Sequence, residues 1–379
     1  MSATVMAKGK ILFAIEFRSK YLLAICKALQ SLGWEVEEFC WRDCIPQSIW
    51  GKMQDKYRFG PVIKRMNEAL IEKCKSFKPD VVFMHKGIHI WPQTIAKMKR
   101  YNCLVTSNYT DNPFGNYDAD FAGKYRTGES ILLNKIRHYE KAFYFKRLWG
   151  NFLKTIPLYD ICFILRRNNI KKYESVGARE VHHLRSFYIP EQDHPVELTE
   201  AEQERLGSDV VFIGHYEPDH RIECLESLLD AGIHVRLFGT DWDRYLTKKL
   251  KRAFGASIKP LYGNEYIQAL CASKMALGFM SKLNKDTYTV RCYEIPACGA
   301  LLLSERTNEL KELYEEDKEA VFFSDKDELV QKVIMLLKQP EKRKAIASFG
   351  HKRCLSSGYD VVSRMRVWDD VVCKKLNIT

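Results

Sequence analysis

The sequence lacks the patterns of a disulfide-stabilised or zinc-binding protein. Its twelve cysteines are scattered singly, with no C-x-x-C pair and no cysteine–histidine cluster at zinc spacing. Small secreted domains pair their cysteines, whereas thiols inside the cell stay reduced. The sequence therefore predicts a reduced compartment, the cytoplasm, with neither a structural disulfide nor a structural metal site.

Long apolar runs are also missing. The first apolar stretch, "KILFAIEF", is too short to span a bilayer, and no other segment reaches roughly 18 uninterrupted apolar residues. The N-terminal region has no small-residue cleavage signal, and the chain shows no internal repeat or low-complexity segment. We therefore expect neither a transmembrane helix nor a cleaved leader.

What the chain does carry is a surplus of positive charge. It has 379 residues, of which 60 are basic and 48 acidic, which gives a formal net charge of +12. With 46% apolar residues, it can build two ordinary domains, each with its own core. The charge suits an anionic partner, which could be a nucleotide, a phosphorylated substrate, nucleic acid or an anionic membrane face. The sign alone does not choose among these.

Short apolar strands alternate with helical segments in two series. The first series contains the strands "KILFAIEF", "WEVEEFCW", "DVVFMHK", "CLVTSNYTD", "DICFILRR" and "VHHLRSFYI". The second contains "DVVFIGH", "HVRLFG", "MALGFM" and "ALLLSE". Such alternation predicts two mostly parallel sheets with helices on both faces, in an α/β fold of two Rossmann-like, doubly wound domains. The strand ends of two such domains are expected to face a central cleft.

A polar, charged segment between the two series sets the predicted domain boundary. We predict an N-terminal domain over 1–190, a linker over 191–208 and a C-terminal domain over 209–358. The last helix, over 359–379, is predicted to cross back to the first domain.

The stretch "DTYTVRCYEIPACGALLLSE" predicts a nucleotide clamp in the second domain. It follows the strand "MALGFM", so Arg291 and Glu294 belong to a short helix at the carboxyl edge of the sheet. A helix amino terminus and a guanidinium suit a phosphate, and a carboxylate accepts hydrogen bonds from a ribose diol. Gly299 lets the helix end tightly before the next strand.

The spacing of these residues resembles a family signature. Asp286 is followed, after seven residues, by Glu294, and Gly299 comes five residues later. This resembles the Glu-x7-Glu signature of the "glycosyl transferases group 1" family, with aspartate in place of the first glutamate. "VVFIGHYEPDHR", "VRLFGTDW" and "VFFSDKDELVQKVIMLLKQPEKR" extend the resemblance, especially to the spore-maturation glycosyltransferase-like branch. In the first domain, "PDVVFMHKG" and "SNYTDNPFG" resemble that branch, but "EFRSKY" replaces the glycine-rich turn of many relatives.

The resemblance implies a GT-B glycosyltransferase. In that fold the first domain binds the acceptor, a glycan or a lipid-linked molecule, and the second binds a nucleotide-sugar donor. The signature implies that Asp286 contacts the donor sugar, that Glu294 binds the ribose, and that the anomeric configuration is retained. It also implies that basic side chains and backbone amides, not a metal, neutralise the departing diphosphate, so no cofactor is expected. The implied donor contacts are Glu294, Arg291, Lys282, Gly214, His215, Gly239 and Tyr293.

An inverting mechanism would instead need a base from the first domain. Asp111, at the end of "SNYTD", is the best-placed candidate, followed by His85 and His89. Asn112 follows Asp111 and is assigned to the acceptor side. Ordinary structural roles compete with these assignments: Asp111 could form an Asx turn before "NPFG", and the histidines could be satisfied structural residues.

Other residues of the second domain also have structural alternatives. Glu294 could be a solvent-facing helix residue, and Lys282 could belong to an ordinary polar loop. His215 could be a structural histidine. The triplet "DWD" is an Asp-x-Asp pattern, and we interpret it as a loop and not as a manganese site.

The segment 123–157 interleaves basic residues with aromatic ones, in "KAFYFKRLWGNFLK" most densely. This pattern suits a helix at an anionic lipid surface, which would place the protein peripherally at the inner membrane face. It equally suits an amphipathic helix packed on its own domain with solvated charges, or a surface that binds nucleic acid. Because the segment lies in the acceptor half, it could help to choose the acceptor.

Two other functions remain open at this stage. A nucleotide-sugar epimerase, or a catalytically silent GT-B protein, would share the nucleotide clamp. A basic nucleic-acid-binding protein would explain the charge but not the clamp, and salt-dependent retention on nucleic acid would favour it. The sequence does not determine the sugar, the base, the acceptor or the stereochemistry.

Overall fold

The computed structural model describes residues 8–115 and 130–378. These residues divide into two compact units. The first unit contains the described part of 1–123 together with 132–185 and 361–378, and the second contains 186–360. Each unit is built on its own parallel sheet.

The first unit has a six-stranded sheet with the order β2-β1-β3-β4-β5-β6. All neighbouring strands pair in parallel. The central strands are continuous apolar runs because helices cover both faces of the sheet. The strands are β1 (Gly9–Ile15), β2 (Trp34–Cys40), β3 (Val81–His85), β4 (Leu104–Tyr109), β5 (Ile161–Ile164) and β6 (Val181–His183).

The helices of the first unit begin and end where local sequence signals predict. The Ser19 side chain caps α1 by accepting a hydrogen bond from the Leu22 amide, and Gly33, at φ 96°, follows its end. Pro61 and Pro92 each open a helix at its first position. The helices are α1 (Lys20–Ser31), α2 (Ile49–Tyr57), α3 (Pro61–Phe77), α4 (Pro92–Met98), α5 (Ile131–Thr155) and α6 (Ile170–Ser175).

The second unit has a five-stranded parallel sheet with the order β11-β10-β9-β7-β8. The chain leaves β7 for β8 on one side and later enters β9 on the other side. Ligands of open α/β sheets bind at the carboxyl ends of the strands beside such a switch. The strands are β7 (Val210–Ile213), β8 (Val235–Phe238), β9 (Met275–Gly278), β10 (Leu302–Glu305) and β11 (Val321–Phe323).

Helices pack around this second sheet. Its core contains apolar side chains of every strand and of the longest helices, for example Leu225, Leu303 and Val333. The helices are α7 (Glu200–Leu206), α8 (Arg221–Asp230), α9 (Lys248–Phe254), α10 (Gly263–Ala272), α11 (Arg291–Ala297), α12 (Asn308–Leu313), α13 (Lys326–Lys338) and α14 (Pro340–Ser356).

The last helix, α15 (Val361–Leu376), is part of the first unit. Its Trp368 is fully buried and stacks on Phe83 of β3, with ring centroids 4.8 Å apart. Asp369 accepts hydrogen bonds from the Trp34 indole and from Lys8 Nζ. Aromatic stacking and a buried ion pair therefore hold the C-terminal helix on the first sheet.

The alternation of strands and helices is confirmed, and both sheets are wholly parallel over the described residues. The predicted strand "VHHLRSFYI" is too long, since only Val181–His183 pairs in the sheet. None of the twelve cysteines is in a disulfide. Within 8–115 and 130–378, no helix has the length and apolarity needed to span a membrane.

Candidate active site

Polar and glycine residues gather at the carboxyl edge of the second sheet. Gly214 and His215 follow β7, Gly239 follows β8, and Glu305 is the last residue of β10. Helix α11 begins at Arg291, after the loop that leaves β9. The clamp residues predicted from the sequence therefore reach the edge where the strand order switches direction, which is the expected ligand position.

The ends of β7 and β8 are joined through two glycines. The Gly214 amide donates to the Phe238 carbonyl at 2.9 Å, and the Trp242 indole donates to the Gly214 carbonyl at 2.8 Å. Gly239 has φ 153°, and a Cβ there would lie only 1.8 Å from the Gly214 oxygen. Only glycine permits this close approach of the two backbones.

Glu294 lies in the first turn of α11 and is fully buried. Its Oε2 accepts a hydrogen bond from the Tyr266 hydroxyl at 2.8 Å and another from Arg291 Nη1 at 2.6 Å. The Arg291 guanidinium also lies 4.5 Å from the centroid of the Tyr266 ring. A buried carboxylate needs such donors because desolvation of an uncompensated charge is costly.

Arg291 was predicted to meet a pyrophosphate, and in this structure its guanidinium pairs with Glu294 and orients that carboxylate. The pyrophosphate contact stays a prediction. The ribose contact of Glu294 stays a prediction, and it requires the buried carboxylate to become accessible when a nucleotide binds. Asp286 is half-buried and its amide donates to the Ser281 carbonyl, so its predicted sugar contact also stays a prediction.

Tyr293 was predicted to contact the donor, and the structure gives it a core position instead. Its side chain is fully buried. Its ring meets those of Tyr288 and Tyr359 edge to face, at 5.9 and 5.3 Å between centroids.

Glu305 is a buried carboxylate at the same edge that the sequence analysis missed. It accepts hydrogen bonds from the Met280 amide and from Lys282 Nζ at 2.6 Å, and His220 Nε2 lies 3.0 Å from its Oε1. Burial alone would raise the pKa of Glu305, but the donors His220, Lys282 and the Met280 amide outweigh it and lower the pKa. Lys282, predicted to meet the diphosphate, therefore has a carboxylate partner in this structure. The last letter of the strand "ALLLSE" was the signal that could have revealed Glu305.

We expect Glu305→Gln to lower the free energy of unfolding at neutral pH by about 2 kcal/mol, since charged hydrogen bonds become neutral ones. Because the pKa of Glu305 is lower in the folded state than its ordinary value of 4.5, the carboxylate stabilises the fold fully at a pH above 4.5. This contribution is lost as the pH falls through the folded-state pKa. Urea unfolding between pH 7 and pH 3 checks this. The variant should lose less stability on acidification than the wild type, and parallel pH curves would contradict the expectation.

The loop after β7 holds a second buried charge cluster. Glu217 Oε1 lies 2.9 Å from His215 Nε2 and 3.4 Å from Arg221 Nη2. Arg221 is buried, donates to the His215 carbonyl at 2.7 Å, and pairs with Asp219 at 3.1 Å. Burial opposes ionisation of Glu217, yet His215 and Arg221 lower its pKa. The cluster fixes the loop that carries His215, whose own side chain is exposed. In the sequence, the spacing of four residues between Glu217 and Arg221 was the pattern that could have indicated this ion pair.

In the first unit, the structure brings His85 and Asp111 to the carboxyl edge of the first sheet. Asp111 Oδ2 accepts an ion-paired hydrogen bond from Lys86 Nζ at 2.9 Å. Burial, aided by Lys86 and opposed by Asp111, lowers the pKa of His85 to about 3. His85 is therefore neutral at pH 7, but such a low pKa makes it a weak proton acceptor. The catalytic role of Asp111 stays a prediction.

Two residues assigned to the acceptor side are interior residues. His89 is almost completely buried, with Nε2 2.8 Å from Asp55 Oδ1. Asn112 is buried too, and its Oδ1 accepts hydrogen bonds from the Phe114 amide and the Asn169 side chain. Their side chains therefore contact α2 and neighbouring loop residues in this structure, and an acceptor contact of His89 or Asn112 stays a prediction.

The "DWD" triplet lies in a loop after β8. Asp243 Oδ1 accepts a hydrogen bond from the Ile258 amide at 2.8 Å, and Asp241 is exposed with φ 66°. Over the described ranges, no group of three or more His, Cys, Asp or Glu side chains could hold a metal ion.

Residues 220–370 match the model of a family described as "Glycosyl transferase-like". No curated protein matches the chain at the sequence level. Three solved structures align with nearly the whole chain. Sucrose-phosphate synthase from Thermosynechococcus elongatus has a TM-score of 0.61 and 10% identity, and the alignment covers 96% of this chain and 99% of that one. Anabaena HepE with UDP-glucose has a TM-score of 0.58 and 11% identity, with 97% and 99% covered. A Listeria monocytogenes protein described as a candidate UDP-N-acetylglucosamine 2-epimerase has a TM-score of 0.55 and 12% identity, with 98% and 97% covered.

The chain has the GT-B fold. At these identities the structural likeness shows the fold, and the predicted fold class is confirmed. The family match over residues 220–370 adds the enzyme class, so the predicted glycosyltransferase is confirmed as well. The match includes the Glu294 and Glu305 clusters of the carboxyl edge, but it begins after Gly214 and His215.

Proposed function

We propose that this glycosyltransferase moves a sugar from a nucleotide-sugar donor, held at the carboxyl edge of the second unit, to an acceptor bound by the first. The observation that carries the proposal is the position of Glu294. It is held by Tyr266 and Arg291 in the first turn of α11, beside the switch in strand order and inside the family match. A carboxylate in that position is suited to the hydroxyls of a ribose.

Two neighbours support a nucleotide-sugar donor. Anabaena HepE was solved in complex with UDP-glucose and with UDP, and its fold aligns with almost the whole of this chain. A uridine nucleotide is therefore the first donor class to test. The base and the sugar depend on loop contacts that differ at such low identity.

Departure of the diphosphate would be assisted by cations at the same edge. His215 is exposed there, while Lys282 and His220 both surround Glu305. The Lys282 ammonium, hydrogen bonds donated by the two histidines and the backbone amides of the Gly214 turn would stabilise the charge that develops on the leaving group. Because these groups can supply that stabilisation, we propose a transfer that needs no metal.

For the stereochemistry we propose retention, with Asp286 at the donor sugar. Its half-buried position in the loop before α11 is compatible with that role. An inverting reaction would instead use Asp111 of the first unit, whose Oδ2 lies 2.9 Å from Lys86 Nζ. The anomeric configuration of the isolated product, read by NMR, separates the two. Retention with full activity in Asp111→Asn supports the proposal, and inversion overturns it.

A thermal-shift screen tests the donor. UDP, GDP, CDP, ADP and their sugars are added separately to the full chain. We expect one nucleotide family to raise the melting temperature, because a ligand present at about 100 times its Kd stabilises the folded state by about 2.7 kcal/mol. No shift with any of them, together with no binding by calorimetry, would contradict the proposal.

A nucleotide-sugar epimerase is the second candidate, because the Listeria neighbour carries an epimerase title. Incubation with the nucleotide sugar identified by the screen distinguishes the two enzymes. An epimerase converts the free donor to its epimer without an acceptor, whereas a glycosyltransferase releases nucleotide diphosphate when the acceptor is added. The acceptor that we propose is a glycan or a lipid-linked molecule.

A further inference from the structure

Helix α5 carries an apolar face that does not belong to the core. Leu132, Ile136 and Phe143 are 68%, 54% and 52% exposed, and their spacings follow one side of the helix. Phe152, nine residues after Phe143 and therefore about half a turn away, is fully buried in the first core. The helix thus packs on its own unit through one side while presenting large apolar side chains on the other.

The neighbouring helix α2 extends this apolar surface. Ile49 and Trp50, in its first turn, are 85% and 70% exposed. The two helices are in contact, because the Tyr57 and Phe143 rings lie 6.0 Å apart and Lys56 pairs with Glu140. We call the surface formed by Ile49, Trp50, Leu132, Ile136 and Phe143 the α2–α5 face. Large exposed apolar groups on two helices in contact indicate an interaction surface.

Cations without carboxylate partners surround this face. Lys52, Lys135 and Lys146 are exposed, and among the described residues no carboxylate lies within ion-pair distance of any of them. The same holds for the guanidinium groups of Arg58 and Arg147. The positive charge next to the α2–α5 face is therefore available to an anionic partner.

Arg58 and Arg147 also line a pocket beside the face. The pocket has a volume of about 300 Å³ and its walls include Tyr57, Phe59 and Trp91. Arg58 is more than nine-tenths buried, and its Nε has no hydrogen-bond partner among the described residues. Its other two nitrogens donate to the Lys56 carbonyl and the Tyr144 hydroxyl, and Arg58 is among the cations that, against the effect of burial, lower the pKa of Asp55. The unsatisfied Nε is therefore the donor that an anion in the pocket would use.

We propose that the α2–α5 face docks on an anionic lipid bilayer and that the Arg58–Arg147 pocket takes a lipid phosphate. The apolar side chains would enter the boundary between headgroups and acyl chains, and the flanking lysines would meet the anionic headgroups. Guanidinium groups bind phosphate oxygens through paired hydrogen bonds. The proposal goes beyond sugar transfer and does not require the donor site.

The combination of observations favours lipid over the other occupants. A second copy of this chain also carries a net charge of +12, so cationic faces without acidic partners would repel each other in a symmetric dimer. Nucleic acid would use the cations and aromatic rings but would leave exposed aliphatic side chains such as Leu132 and Ile136 in water. An anionic bilayer accommodates both the charge and the aliphatic groups.

Sedimentation with vesicles tests the face in the full-length protein. We expect binding to vesicles that contain phosphatidylglycerol, weaker binding to pure phosphatidylcholine, and release by salt. Ile136→Asp should reduce the apparent affinity at least about tenfold, because the buried apolar area is lost and a charge of the wrong sign is added. Leu355→Asp is the matched control, since Leu355 is 51% exposed on α14 of the other unit, and it should bind like the wild type.

A second pair of variants tests the cations and the pocket. Arg147→Ala should reduce binding to anionic vesicles about fivefold, in line with about 1 kcal/mol for each basic residue near such a surface. Arg252→Ala, on exposed helix α9 of the second unit, is its control and should change nothing. Inorganic phosphate should compete with anionic vesicles for the protein. If phosphate binds the protein but vesicle binding is unchanged, the pocket takes free phosphate only and the assignment of a lipid phosphate is wrong.

Other outcomes overturn the docking itself. Docking is wrong if the wild type and Ile136→Asp sediment equally with anionic vesicles. It is also wrong if the wild type forms a dimer in ultracentrifugation that Ile136→Asp dissociates, because the face then binds a second copy. Salt-sensitive retention on nucleic acid without binding to vesicles would contradict it as well. The nucleotide thermal shift of Ile136→Asp is measured in parallel. If Ile136→Asp loses vesicle binding but keeps the nucleotide thermal shift, the docking surface is supported independently of the donor site. If the wild type shows the thermal shift but does not bind vesicles, docking is rejected and the donor site is not.

Discussion

Glu294→Ala is expected to abolish donor binding and to destabilise the second unit. Removal of the carboxylate leaves the Arg291 guanidinium and the buried Tyr266 hydroxyl without the oxygen that they share. Breaking a buried ion pair on one side costs about 3 kcal/mol. Loss of charge-assisted hydrogen bonds to a ribose should lower nucleotide affinity about 100-fold. Calorimetry with the nucleotide found by the thermal-shift screen measures the affinity, and urea unfolding measures the stability.

Two controls separate binding from folding in this experiment. Glu294→Gln keeps the size of the side chain and an oxygen for Tyr266, so it should be more stable than Glu294→Ala and still bind nucleotide poorly. Asp209→Ala breaks the ion pair with Lys274 at the amino end of β7, at the opposite edge of the sheet. It should lose stability but keep nucleotide affinity. If Glu294→Ala binds the nucleotide as tightly as the wild type does, the proposed donor site is wrong.

Gly239→Ala is expected to have the largest effect on stability of any small substitution in the second unit. The new Cβ would lie 1.8 Å from the Gly214 carbonyl oxygen, and φ 153° is unfavourable for any other residue. The ends of β7 and β8 must therefore move apart, which strains the Trp242 hydrogen bond and the turn that carries His215. We expect a loss of about 4 kcal/mol or more, the range of severe backbone and packing defects.

Gly150→Ala is the matched control for Gly239→Ala. Gly150 lies inside α5, and a Cβ there would meet no atom within 4 Å. Alanine at such a position should stabilise the protein by about 0.5–1 kcal/mol, because glycine loses more entropy in a helix. Differential scanning calorimetry of both variants measures the opposite shifts. A Gly239→Ala protein that melts within the error of the wild type would contradict the predicted backbone clash.

Much of the architecture could be predicted because it depends on neighbouring residues. Helix starts depend on residues only a few positions away in the chain, as at Ser19, Pro61 and Pro92. The apolar runs of β1, β3 and β7 are local signals of the same kind. The spacing of Arg291, Glu294 and Gly299 placed a short helix after β9, and α11 occupies that position. The strand-end rule then located the candidate site at the carboxyl edge.

The partners of the site residues could not be predicted in the same way. Arg291 was assigned to a pyrophosphate, but Glu294 and the Tyr266 ring hold it. Lys282 was assigned to the same group, and Glu305 binds it from the next strand. The Arg291–Glu294 pair lies within one turn of α11, but the Tyr266 and Lys282–Glu305 contacts join residues from different elements, whose proximity depends on the strand order β10-β9-β7.

The sequence by itself determined two α/β series, their strands and the edge at which the polar residues would meet. Only the tertiary structure decided which charges are paired, that Glu294, Tyr293 and Asn112 are buried, and that α5 turns an apolar face outward. The physical reason is the range of the interactions. Hydrophobic periodicity and capping act between neighbours along the chain, whereas burial and ion pairing depend on side chains that are brought together only when the sheets form.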